Sequence, residues 1–108
     1  MLNQVVLVGR LTDDIEVVSR ENGKKVCSLV LAVQRTFKNS DGIYEADFIR
    51  CTLWNAVASS TSEYCHKGDI IGVKGRIRVD EDGMKIVGEK VTFLSSRTKD
   101  DEDEDIEE

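Results

Sequence analysis

A chain of 108 residues, 40% apolar and 33% charged, suits one soluble domain with a polar appendage. No stretch reaches the ~20 apolar residues of a membrane helix, and Met1-Leu2-Asn3-Gln4 lacks the basic and apolar segments of a secretion signal, so a cytoplasmic location is expected. The net charge of −6 is unevenly spread: residues 100–108, DDEDEDIEE, hold eight acids and no base, which leaves 15 bases against 13 acids and a body charge of +2. An acidic tail on a mildly basic body points to a nucleic-acid partner.

The first predicted strand covers residues 2–11, LNQVVLVGRL, apolar on both faces around Val5 to Val8. Gly9 lies inside it, where a missing side chain predicts a bulge or a sharp bend. Glu21-Asn22-Gly23-Lys24 is a turn signal, and a second strand follows over about residues 25–35, with Cys27, Leu29, Leu31 and Val33 on one face. Asn39-Ser40-Asp41-Gly42 is another turn or loop, and the third strand covers about 45–55. Ala56 to Lys67 carries Val57, Thr61, Tyr64 and Cys65 at helical spacing, with Asn55 or Ser59 as candidate cap and Gly68 as the stop. Two strands then span 70–79 and 84–94 around Glu81-Asp82-Gly83, whose Asp-Gly pair favours a tight hairpin.

Three strands, one helix and two strands is the element order of an all-β, five-stranded Greek-key OB barrel with its helix between strands three and four. Residues 1–95 form the predicted domain. From 96 to 108 small polar residues run into the acidic block, with only Ile106 to bury, and composition predicts disorder. Cys27, Cys51 and Cys65 are an odd set without C-x-x-C spacing, and His66 is the sole histidine. Neither a disulfide framework nor a metal site is indicated, and no cofactor is expected. Cys27 and Cys51 read as small core hydrophobes.

Alternation gives the third strand two chemically different faces. Ile49, Cys51 and Leu53 point one way and build core, while Ala46, Phe48, Arg50, Thr52 and Trp54 point the other. Two large aromatics flanking an arginine on an outer face are what a base-stacking platform needs, each stacked base contributing ~1–3 kcal/mol. The same pattern also fits a second packing layer or an oligomer interface. On the fourth strand Ile71, Val73, Ile77 and Val79 share one face with Gly75, and Lys74, Arg76 and Arg78 share the other. Three cations in a row can track phosphates, or form a merely solvated face. Phe37, bracketed by Arg35 and Lys38 at a loop mouth, suits stacking with phosphate contacts beside it, or is a buried strand end. Arg10 and Asn3 are further outer-face candidates, set against simple solvation. No paired histidine and nucleophile, P-loop or carboxylate cluster is found in the body, so no enzyme is expected.

In five collinear segments the chain resembles the bacterial single-stranded DNA-binding protein family: LNQVVLVGRLT at 2–12, LAVQRTF at 31–37, ADFIRCTLWN at 46–55, EYCHKGD at 63–69 and VKGRI at 73–77. The resemblance implies an OB fold, a homotetramer of such barrels, and single-stranded DNA wrapped over their outer faces. It implies protection of that DNA in replication, recombination and repair, in the cytoplasm at the nucleoid. Family stacking positions fall on Phe37, Phe48 and Trp54, and a phosphate-contacting arginine on Arg50. Arg10, Arg35, Lys38, Lys74, Arg76 and Arg78 complete the candidate phosphate set.

Three departures accompany the match. The last hairpin, VDEDGMK, is short and lacks the aromatic often found there. Asp14-Ile15-Glu16 stands where Asp-Pro-Glu is usual. The tail, with Asp103, Glu104, Asp105 and Ile106 as its candidate contacts for replication and repair proteins, closes without the family's Pro-Phe pair. Other readings of the same residues are a paralogue used by a mobile element or in DNA uptake, a replication-restart accessory dimer, and a structural OB module with Phe48 and Trp54 buried between subunits.

Overall fold

The computed structural model describes residues 1–96, so the candidate tail residues Asp103, Glu104, Asp105 and Ile106 lie outside the described residues. Strands form where alternation and β-branched residues coincide. They are β1 (Val5–Leu11), β2 (Val18–Ser19), β3 (Lys25–Lys38), β4 (Tyr44–Trp54), β5 (Ile70–Asp80) and β6 (Gly83–Ser95), with helix α1 (Asn55–Tyr64) between β4 and β5. The sheet runs β1-β5-β6-β4-β3-β2, and a further pairing of β1 with β3 closes the five long strands into a barrel. The β4–β6 pairing is parallel and the others are antiparallel. This is the five-stranded barrel with one helix that the element order predicts. The two-residue β2, attached outside β3 through Val18↔Val26, carries too little alternation to be read from sequence.

Closure depends on Gly9. β1 pairs with β5 from Val5 to Arg10 and meets β3 at Arg10 and Leu11. A Cβ on Gly9 would lie 2.8 Å from the Ala32 carbonyl oxygen, so glycine allows the two strands to cross this closely. Of the bulge or sharp bend expected at Gly9, the bulge is absent, since the β1–β5 register is unbroken through it. Register shifts fall instead between Gln34 and Lys38 in β3–β4, and at Ile70/Ile71 and Lys74/Gly75 in β5–β6. At the last of these, Gly75 lies against the Val87 carbonyl with no room for a side chain.

Leu11, Leu31, Cys51, Leu53, Ile71 and Val73 are fully buried and form the centre of the core. Burying each of the larger ones contributes about 1.5–3 kcal/mol. Helix α1 packs against β3, β4 and β6, with Ala58 and Thr61 buried. It is shorter than the predicted 56–67, because the chain turns extended at Cys65 and buries that thiol in the core. Neither Asn55 nor Ser59 caps it: Trp54 is the N-cap, and the Asn55 side chain accepts the Lys25 N–H instead. Gly68, with φ +92, belongs to the next turn, where its N–H donates to Leu11.

Two two-stranded arms extend from the barrel. β3 and β4 pair with each other out to Lys38↔Tyr44, while β1 reaches β3 only at Leu31 and Ala32 and β6 reaches β4 only from Cys51 to Leu53. β5 and β6 likewise pair with no third strand around their Glu81-Asp82 turn. That projection explains why Ile77 and Val79, which share a strand face with the buried Ile71 and Val73, are exposed, Val79 by 72%.

Candidate nucleic-acid interface

Alternation along β4 puts Phe48, Arg50 and Trp54 on the outer side, opposite Ala32, Val30 and Val26 of β3. Phe48 is 70% exposed, Arg50 is exposed, and Trp54 is half-buried. Thr52, predicted on the same open face, is buried, because β4 is flanked there on both sides, by Ser28 of β3 and Val87 of β6. Phe48, Arg50, Met84, Lys85 and Ile86 border a hollow of about 440 Å³. It adjoins a second of about 540 Å³ that shares Arg50, Met84 and Lys85 and continues to Trp54. The two aromatics therefore stand along one trough with Arg50 between them. A trough of this kind offers π-faces to bases and a guanidinium to the backbone.

Beyond Trp54 lies a third hollow, bordered by Lys24, Asn55, Arg76, Arg78 and Val87. Arg20 places its guanidinium carbon 5.9 Å from the centre of the Trp54 ring, in cation–π range. The residue pattern alone does not mark Arg20 or Lys24 as part of this site. The row Val18–Val26–Trp54 across β2, β3 and β4 is what brings their turn beside the indole. The Glu21–Lys24 turn signal was visible, but not the short strand that aims it.

The arm beyond Phe48 is organised differently. Phe37 is 84% exposed, beside a hollow bordered by Arg35, Lys38, Asn39 and Glu45. Arg35 donates to both Asp47 oxygens at 2.8–3.2 Å and to Glu45 at 3.0 Å, and Asn39 donates to the other Glu45 oxygen at 3.0 Å. A hydrogen bond from Arg35 holds the Asp47 carboxyl below its ordinary value of 3.8. Lys38 lies 5.6 Å over the Tyr44 ring.

The remaining predicted cations have mixed settings. Arg10 donates to the Gly68 carbonyl at 2.6 Å, and Arg76 pairs with Glu89 at 3.2 Å. Lys74 and Arg78 are exposed with no ion pair among the described residues. Asn3 is bonded twice to the Ile77 backbone, through both atoms of its amide, and so extends β1 along β5. Among the described residues no group of three or more His, Cys, Asp or Glu side chains is placed to hold a metal ion, and no helix is long and apolar enough to cross a membrane.

Comparison with known proteins agrees with these features. Residues 2–99 match the model of the Single-strand binding protein family. The single-stranded DNA-binding protein B of Bacillus subtilis is 40% identical over 92% of this chain and 96% of its own length. The single-stranded DNA-binding protein of Halalkalibacterium halodurans is 42% identical over 90% of this chain, but the match spans 63% of that relative. Among solved structures, a deletion mutant of the single-stranded DNA binding protein from Thermus aquaticus superposes with a TM-score of 0.72 at 27% identity. That match covers 89% of this chain and 52% of the Thermus chain.

Proposed function

The chain belongs to the Single-strand binding protein family, and we propose that it binds single-stranded DNA without sequence preference, by stacking bases and contacting phosphates. Phe48 and Trp54 are the principal stacking residues and Phe37 a further one. Arg50 contacts the backbone inside the trough, and Lys74, Arg76, Arg78, Lys38, Arg10 and Arg35 are the outlying cations. The observation that supports this most is the continuous trough from Phe48 past Arg50 to Trp54 on the outer side of β4. The activity is binding, with no chemistry performed on the DNA, and it protects single strands during replication, recombination and repair at the nucleoid in the cytoplasm.

An oligomer of this chain, a homotetramer, is part of the same reading. From Val5 to Val8 one edge of β1 has no partner strand among the described residues, and the outward Val6 and Val8 are exposed. An unpaired edge with apolar side chains is a template for another strand, and a second copy supplies one. The domain proper spans residues 1–95, and the acidic segment 96–108, through Asp103, Glu104, Asp105 and Ile106, is the proposed contact for replication and repair proteins.

The test is competition between oligo-dT and a duplex of the same length at two salt concentrations. Binding of oligo-dT that weakens with salt, and that duplex fails to displace, is expected. Equal affinity for duplex would contradict the stacking mechanism, since paired bases present no free face.

A further inference from the structure

Trp54 separates two hollows that differ in their balance of charge. The one bordered by Lys24, Arg76 and Arg78, about 410 Å³, has no acid in its lining, and Arg76 is paired with Glu89 outside it. In the other, Arg20, Arg50 and Lys85 share the lining with Asp80 and Asp82 from the β5–β6 hairpin. Lys85 is ion-paired to Asp80. Lys85 first, and then the Asp82 N–H, hold the Asp80 carboxyl below its ordinary value, so it is charged at neutral pH. Asp82 is exposed at the turn and makes no side-chain ion pair among the described residues. Lys24 on the opposite side is also exposed and unpaired among the described residues. A phosphate carries full charge and a base carries none, so the hollow without acids draws the phosphate more strongly and the one with Asp80 and Asp82 suits the base better.

We propose that the backbone of bound single-stranded DNA passes Trp54 on the Lys24 and Arg78 side. In the other hollow the acidic hairpin tip turns the phosphates away beyond Arg50 and leaves the space beside Trp54 to the base. Asp82 is then a residue that sets the path and lowers affinity, and Lys24 is a phosphate contact. This rests on the stacking function proposed above.

The experiment uses the full chain and three single substitutions of exposed residues, Lys24→Ala, Asp82→Asn and, as a control for net charge, Glu63→Gln on α1. Affinity for oligo-dT is measured across a salt series. Lys24→Ala is expected to weaken binding and flatten the slope of log K against log salt by about 0.7, the contribution of one phosphate contact on a single strand. Asp82→Asn is expected to tighten binding by roughly two- to fourfold at low salt, an effect that fades as salt rises. Glu63→Gln is expected to change neither. An unchanged slope for Lys24→Ala, unchanged or weaker binding by Asp82→Asn, or an equal gain from Glu63→Gln would overturn the path while leaving the function standing. Failure of the unaltered chain to bind oligo-dT would overturn the function itself, and the path with it.

Discussion

Trp54 stands where β4 is held on both sides, by β3 through Val26 and, one residue earlier, by β6 through Leu53↔Gly88. Phe37 stands on an arm where β3 and β4 have only each other and the register is broken between Gln34 and Lys38. The two also differ in how nearby charge is used. Around Phe37 the arginine is clasped by Asp47 and Glu45, whereas Arg50 beside Phe48 and Trp54 makes no ion pair among the described residues. Greater exposure therefore does not make Phe37 the better platform. A ring already fixed by its neighbours loses less freedom when a base stacks on it, and an unpaired cation is available to a phosphate.

The largest effect expected is on the trough's support. Leu53 is fully buried next to Trp54 in β4, so Leu53→Ala should lower stability by about 2–5 kcal/mol in chemical denaturation. Phe37→Ala should leave the same curve unchanged. Next comes affinity: Trp54→Ala and Phe48→Ala should each weaken oligo-dT binding by ~1–3 kcal/mol, with Phe37→Ala at or below the low end of that range. A larger loss at Phe37 than at Trp54 would reverse the comparison.

The cations sharpen it further. Arg50→Ala should flatten the salt slope by about 0.7, while Arg35→Ala should move it little, because Arg35 already faces two carboxylates. If Arg35→Ala flattened the slope as much as Arg50→Ala, DNA would have to displace the clasp.

The smallest effects appear only away from neutral pH, and they have opposite signs in the two regions. The Asp47 carboxyl is depressed, so its stabilisation of the arm is present above 3.8 and is lost as pH falls through its lowered value. High salt should blunt that effect, since both partners are exposed. On the core face of β4, burial pushes the Cys51 thiol from 9.0 up to about 11. Its contribution is full below pH 9 and is lost as pH rises through about 11, and Cys51→Ala should remove that alkaline loss from a melting-temperature series.

The β4 platform was legible because strand alternation needs only neighbours in sequence: Phe48 and Trp54 can be placed on one side before any fold is known. The barrel followed from turn residues and element order. Features that depend on a third strand or a distant partner were not legible. Thr52 alternates with the exposed set, yet it is buried where β4 has Ser28 of β3 on one side and Val87 of β6 on the other. Ile77 and Val79 alternate with the core set, yet their hairpin runs past the strands that would bury them. The Arg35 clasp reaches to Glu45 and Asp47 across a register shift that residue types alone do not reveal. Arg20 and Lys24 depended on a strand of two residues.

Trp54 is the only tryptophan in the chain, so its fluorescence reports on the proposed platform alone. Titrated with oligo-dT of increasing length at low and high salt, the unaltered protein should show strong quenching, with an affinity that falls as salt rises. Binding without quenching would contradict a base stacked on Trp54.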